Sequence, residues 1–226
     1  MKINDFLFPE NFYHIYNHSN GRINIFNSDD NFRFFMGRYK KYISPVADTY
    51  AWCLMPNHFH LLLRIKEENE IVEVMRKTNL KNKNLQGFCK LNSDDKINKV
   101  NLGGLQHIKF INQQFSNLFN SYTKSYNKFF NTRGNLFNQN FKRKVITDED
   151  SIIRLILYIH NNPVHHKFTK EIGDWPYSSF HSYLSADYSL LHRNALTDHF
   201  DDLQNFIFIH KQENLIRGDI TLEAED

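Results

Sequence analysis

Met55-Pro56-Asn57-His58-Phe59-His60-Leu61-Leu62-Leu63-Arg64-Ile65 is the stretch on which the fold turns. Pro56-Asn57 is a turn signal. Residues 48–55 before it are apolar and aromatic and read as a strand; 58–65 after it read as a further, buried strand. Side chains two apart on a strand point to one face. His58 and His60 therefore share a face, and Phe59, Leu61 and Leu63 fill the opposite one.

Outward from this point, residues 12–17 read as a strand ended by Asn20-Gly21. Asp29 or Asp30 can cap a helix through Phe34, Phe35, Arg38, Tyr39 and Tyr42, which stops near Ser44-Pro45. Residues 70–79 have helical spacing in Ile71, Val74 and Met75; 82–104, rich in Lys, Asn, Ser and Gly, read as a loop or insertion. A longer helix is expected over 108–130, where Ile108, Ile111, Phe115, Leu118, Phe119, Tyr122, Tyr126 and Phe129 recur at helical spacing. Arg133-Gly134-Asn135 is a turn, 136–146 a strand, and 148–161 a helix that Pro163 helps to end. Trp175-Pro176-Tyr177-Ser178-Ser179 begins a short helix, 195–212 is another amphipathic candidate, and the last ten or so residues read as frayed. Strands and helices mix without strict β-α-β alternation, so the expected class is α+β with an antiparallel sheet. The expected organisation is one domain over 1–190, with a Lys/Asn-rich insertion at about 77–104, and a C-terminal helical extension and tail over 191–226.

The chain has 226 residues, 41% of them apolar, with 21 Phe and 11 Tyr, so it can bury a core. Its two cysteines, Cys53 and Cys89, are too few for a disulfide scaffold and suit a reducing compartment. No stretch approaches the length of apolar sequence that a membrane helix needs. Residues 1–10 carry acids and a proline where a signal peptide needs an apolar run. The expectation is a soluble, cytoplasmic protein with no membrane partner.

Net charge is only +3, but it is unevenly spread. Residues 96–147 carry nine Lys/Arg (Lys96, Lys99, Lys109, Lys124, Lys128, Arg133, Lys142, Arg143 and Lys144) and no acid, whereas 148–226 carry six basic residues and 14 acids. An acid-free block of this length suits a polyanion. Aromatics interleave it, and some of them can stack on unpaired bases. The plainer reading is a helix with an aromatic core face and solvated lysines.

Two constellations bear on chemistry. His58 and His60, converging from one strand face, can hold a divalent metal through neutral nitrogens, or can be two hydrogen-bonded structural histidines. In 151–164, Ile152, Leu155, Ile156 and Ile159 form an apolar stripe, while Tyr158 shares another face with Arg154 and Asn162. Tyr158 is then either a placed functional group or a surface tyrosine packing on Asn162. Thr147 with Asp150 reads as a capping box, and Asp148 and Glu149 favour the helix N-terminus.

These strings resemble one family. Residues 55–63 look like the histidine–hydrophobe–histidine (HUH) motif of single-tyrosine transposases, and Tyr158-Ile159-His160-Asn161-Asn162-Pro163-Val164 looks like their tyrosine helix. Tyr13-His14-Ile15-Tyr16-Asn17 and Trp175-Pro176-Tyr177-Ser178-Ser179 resemble the first strand and late Trp-Ser-Ser segment of the REP-associated branch. The resemblance spans about 12–185, in the family's order. Asn140 stands where the family leads one to expect Arg, and the stretch around 77–104 is longer than usual.

The resemblance implies a ferredoxin-like core: an antiparallel sheet with helices packed mainly on one side and the histidines on a central strand. It implies a divalent metal, Mg²⁺ or Mn²⁺, on His58 and His60 with the amide oxygen of Asn162 as third ligand, a donor set that suits octahedral geometry with waters. It implies Tyr158 as nucleophile, forming a 5′-phosphotyrosine and freeing a 3′-OH for later strand transfer. Lys124, Lys128, Arg133, Lys142, Arg143, Lys144 and Arg154 are the candidate DNA contacts. The expected partner is single-stranded or hairpin DNA at the bacterial nucleoid, with a homodimer as a second candidate assembly. Tyr122 and Tyr126, inside the basic block, compete with Tyr158 as nucleophile. The alternative function is a domesticated hairpin DNA- or RNA-binding protein that no longer cuts.

Overall fold

The computed structural model describes residues 6–21, 23–83, 102–185 and 190–213, with 79–83, 102–105 and 213 in backbone only. Its core is built from β1 (Phe12–His18), α1 (Asp29–Tyr42), β2 (Ala47–Met55), β3 (His58–Ile65), α2 (Glu68–Lys83), α3 (Leu102–Phe130), β4 (Lys142–Ile146) and α4 (Glu149–His165). The four strands form one sheet in the order β2-β3-β1-β4, and every neighbouring pair is antiparallel. That order, with helices crossing between β1 and β2 and between β3 and β4, is the ferredoxin-like arrangement expected from the sequence.

Alternation along the strands decides what each face does. Tyr13 and Ile15 of β1 and Phe59, Leu61 and Leu63 of β3 are buried on the face covered by α1 and α3. There Phe35 of α1 and Phe119 of α3 both meet Phe59, with ring centroids 5.5 and 5.8 Å away. Phe32, Phe35 and Tyr39 supply the buried stripe of α1, and Ile111, Phe115, Leu118 and Tyr122 that of α3. Truncating one such ring, as in Phe35→Ala, would cost about 3–5 kcal/mol. The two crossover helices thus share one side of the sheet. The helix that follows β4, α4, lies across the other side against β2 and β3.

The two sheet edges are treated differently. β2 is an edge strand, yet it is buried along nearly its whole length. Its outer edge is covered by the Trp-Pro-Tyr-Ser-Ser segment: Leu54 donates its N–H to the Tyr177 carbonyl at 2.9 Å, and Ser179 donates to the Trp52 carbonyl at 2.8 Å. The Trp175 indole N–H adds a bond to the Leu54 carbonyl at 2.9 Å. The expected short helix begins only after this segment, as α5 (Phe180–Leu184). β4 is short and largely exposed. A strand was expected over 136–146, but only its last five residues pair with β1, and Phe137 makes an isolated bridge to Ser19. Between them the left-handed Asn140 turns the chain out of register.

Other boundaries differ for local reasons. The helix N-cap is Asp148, not Thr147, because its carboxylate accepts the Ser151 N–H at 2.8 Å. Pro163 lies inside the last turn instead of ending the helix at 161, since its fixed φ is helical and the turn sacrifices only one hydrogen bond. α3 starts six residues earlier than its apolar spacing suggests, and α2 runs on to Lys83. The rest of the 77–104 insertion and the last ten or so residues, expected to be frayed, lie outside the described residues. The single helix expected over 195–212 is two, α6 (Ala195–Phe200) and α7 (Leu203–Glu213), broken at Asp201 with φ +62°. Phe200 and Phe206 belong to the same buried cluster as the sheet. No helix among the described residues is long and apolar enough to cross a membrane.

Candidate active site and nucleic-acid interface

On the α4 side of the sheet, β1 and β3 present a polar patch where a core would normally continue. The register pairs Tyr16 with His60 and His18 with His58, so His14, Tyr16, His18, His58 and His60 all project to this face. His58 and His60 are both buried, their ring centroids 5.3 Å apart. The two imidazoles therefore converge as expected from their spacing.

Hydrogen bonds orient the rings. His58 Nδ1 lies 2.8 Å from the Asn57 amide oxygen, which only accepts, so Nδ1 carries the proton and Nε2 the lone pair. His60 Nδ1 lies 3.0 Å from His14 Nε2. If His60 Nδ1–H donates to His14, His60 too presents Nε2 as its lone-pair nitrogen, the arrangement that second-shell partners impose on metal-binding histidines. Sequence reading gave His14, Tyr16 and His18 no role of their own. Their signal was available: polar rings at i, i+2 and i+4 on an otherwise apolar strand.

Helix α4 runs over this patch. Tyr158 is half-buried and stands edge-on to His60 at 5.6 Å and to His14 at 6.2 Å between centroids. It is not a surface tyrosine packed on Asn162. Two turns on, His166 meets His58 at 4.8 Å. Asn162 is one turn from each, on the face that spans from His60 to His58. It is fully buried, and neither its amide oxygen nor its amide nitrogen has a hydrogen-bond partner among the described residues. Buried amides are normally satisfied. An orphaned amide oxygen on the helix face whose flanking residues meet His60 and His58 fits a hard divalent cation. Among the described residues no three His, Cys, Asp or Glu side chains group to hold a metal ion, so such a site draws on the amide.

The competing tyrosines are committed elsewhere. Tyr122 lies on the α3 side of the sheet, buried, and donates to the Ile25 carbonyl at 2.8 Å. Burial, with Tyr126 nearby, pushes its phenol far above the usual tyrosine range. Tyr126 donates to the Asn24 carbonyl at 2.9 Å.

The basic candidates divide between the two sides. Lys142 pairs with Tyr16 and Lys144 with His14 across β1–β4, so both project to the Tyr158 side, and both are exposed. Arg143 pairs with Ile15 and projects to the other side. There its guanidinium lies 3.9 Å over the Phe141 ring and donates to the Asn112 amide oxygen at 2.9 Å. Lys124 and Lys128 are exposed on α3, and Arg133 in the turn after it. Arg154 is exposed on α4, 3.7 Å from the Asp148 carboxylate, so this one reads as a helix N-terminal ion pair.

A buried histidine relay, with no local signature in the chain, holds α4 in place. His210 Nδ1 donates to the Phe206 carbonyl at 2.7 Å, so its Nε2 accepts from His160 Nδ1 at 2.9 Å. His160 Nε2 in turn accepts from the Ser179 hydroxyl at 2.7 Å, and Ser179 Oγ accepts the Trp52 N–H at 2.9 Å. Burial, then His210 and His181, hold His160 well below the ordinary histidine range; burial pushes His210 down to about 4. Both rings are neutral, each with one proton, which is what the relay requires. His160 lies between Tyr158 and Asn162 in sequence, so the relay fixes the helix that carries both.

No family model matches the chain. In sequence it is similar to a curated relative from Haemophilus influenzae named as a REP-associated tyrosine transposase, 23% identical over 144 residues. The match covers 62% of this chain and 62% of that relative's length. Among solved structures the chain is similar to a REP-associated tyrosine transposase bound to a REP hairpin, with a TM-score of 0.49, 17% identity, and coverage of 82% of this chain and 84% of the other. The family that the motifs resemble and the relative that the sequence matches are the same: REP-associated tyrosine transposases.

Proposed function

We propose that the chain is a metal-dependent single-stranded DNA endonuclease and strand transferase of the HUH tyrosine type, acting at hairpin sequences. The observation that carries this reading is the meeting of Tyr158 with His60, with the orphaned Asn162 amide one turn further along the same helix. A core tyrosine would be surrounded by apolar side chains; this one faces imidazoles.

Tyr158 attacks the scissile phosphorus in line. An Oη–P bond forms, the P–O3′ bond breaks, the phenol proton leaves and the departing 3′ oxygen takes one up. A phenol has a reference pKa near 10, so it is a poor nucleophile unaided at neutral pH. A divalent cation on His58, His60 and Asn162 would polarise the phosphate and offset that deficiency. His14 and Asn57 orient the two imidazoles, and the His160–His210 relay holds α4 in register. Lys142 and Lys144, on the same side of the sheet, neutralise flanking phosphates. The phosphotyrosine keeps the phosphoester bond, so a 3′-OH can rejoin it without ATP.

Incubation of labelled hairpin DNA with the protein and Mn²⁺, read on a denaturing gel, tests the proposal. A covalent protein–DNA band that needs the metal is expected. Tight binding with no band under any metal would favour the non-catalytic binder instead.

A further inference from the structure

On the side of the sheet away from Tyr158, a cleft of about 310 Å³ opens between α3 and the loop that leads into β4. Its volume sits at the lower end of small-molecule sites, roughly 300–1,000 Å³. Half of its lining residues carry neutral amides, among them Asn112, Asn120, Asn138 and Gln139, and Phe119, Phe137 and Phe141 also line it. No carboxylate lines it, and its one cationic side chain is Arg143.

The cleft is built before anything enters it. Its loop is pinned to β1 and the turn after it by two backbone bonds, Asn138 N–H to the His18 carbonyl at 2.9 Å and Asn20 N–H to the Leu136 carbonyl at 2.8 Å. The Asn17 amide adds a bond to the Asn138 carbonyl at 3.2 Å, and the Asn127 amide ties Gly134 to α3 at 3.0 Å. Gly134 and Asn140 take left-handed conformations that set the loop's path. Arg143 is held from two directions, by the Phe141 ring beneath it and the Asn112 amide oxygen.

We infer that this cleft takes an unpaired nucleobase of the bound DNA, which reads sequence apart from the site of cleavage. Amides carry donors and acceptors without charge, which matches the edge of a neutral base better than a phosphate. Phenyl rings and a guanidinium plane are what splayed-out bases stack on. The location agrees. β4 is the open edge of the sheet, and its successive residues face opposite sides. A strand crossing that edge meets Lys142 and Lys144 on the tyrosine side and Arg143 in the cleft. The inference rests on the DNA-processing reading for its ligand.

The test uses the full chain and a hairpin oligonucleotide with single-stranded flanks, carrying one abasic site at each flank position in turn. Affinity is read by fluorescence anisotropy at fixed salt. Removing one particular base should weaken binding to the wild type about tenfold, the scale of a lost bidentate contact. Asn120→Ala with Gln139→Ala, both exposed and outside the tyrosine site, should bind the intact oligonucleotide about tenfold more weakly and ignore that abasic site. Wild-type binding with no preferred position, or a variant that keeps the wild-type base dependence, overturns the inference. A covalent adduct scored on the same oligonucleotides separates the two claims. An adduct without base dependence rejects the cleft alone, and base dependence without an adduct rejects the cleavage reading alone.

Discussion

Tyr158 on α4 and His60 on the central strand β3 stand edge to face, their ring centroids 5.6 Å apart. The pair joins the one tyrosine of the helix to a central strand that is buried on both sides. On the proposed reading, the nucleophile and an imidazole that would hold the metal are fixed by two rigid elements, not by a loop.

Asn162→Leu separates function from stability. The amide is buried without a hydrogen-bond partner among the described residues, so its replacement by an apolar side chain of similar shape relieves a cost of about 1–3 kcal/mol. The variant should melt at the same temperature or higher and form no adduct. A clear fall in melting temperature together with intact cleavage would remove Asn162 from the site.

His60→Ala and His58→Ala should both abolish metal-dependent cleavage, but they should differ in stability. His60 is bonded to the buried His14 under α4, whereas the bond that orients His58 goes to the exposed Asn57. Loss of the buried bond should cost about 1–3 kcal/mol. Thermal melts of the two variants check the order, with His60→Ala the lower.

The two sides of β4 predict two kinds of charge effect. Lys142→Glu with Lys144→Glu should weaken hairpin binding at every sequence and flatten the plot of log affinity against log salt by about 1–2 units, as expected for two lost phosphate contacts. Arg154→Ala, which breaks contacts with Asp148 and Ser151 in its own helix start, should change that slope little. Titrations at several salt concentrations measure both.

The histidine relay makes stability fall in mild acid. His210 is held neutral in the fold with its pKa pushed down to about 4, against about 6.5 when unfolded. The unfolded chain thus binds the proton first. This contribution is complete above pH 6.5 and is lost as pH falls from there towards 4, by about 3 kcal/mol in all. His160 acts in the same direction. The melting temperature should drop through that window, and His210→Gln should make the drop shallower.

Much of this was legible because it is written in short-range periodicity. The turn at Pro56-Asn57 and the two-residue spacing of His58 and His60 fix a strand, a face and a paired site without reference to the rest of the chain. Tyr158 was legible as an exception, off the apolar stripe of its own helix. What could not be read depends on which elements meet. His14 and His18 are unremarkable until register sets them beside His60 and His58. The split of Lys142 and Lys144 from Arg143 follows from the pairing of β4 with β1, not from the run of charge. His160 and His210 lie far apart in the chain, and nothing local to either announces the other. The late start of the expected strand over 136–146 turns on the left-handed backbone of Asn140, a choice that asparagine permits but does not compel.

Peptide mass spectrometry of the covalent protein–DNA adduct tests the central claim most directly. The account predicts a nucleotide on Tyr158 and no adduct in Tyr158→Phe, which keeps the ring against His60 and should bind DNA as the wild type does. A nucleotide on Tyr16, Tyr122 or Tyr126, or an adduct that persists in Tyr158→Phe, would contradict it.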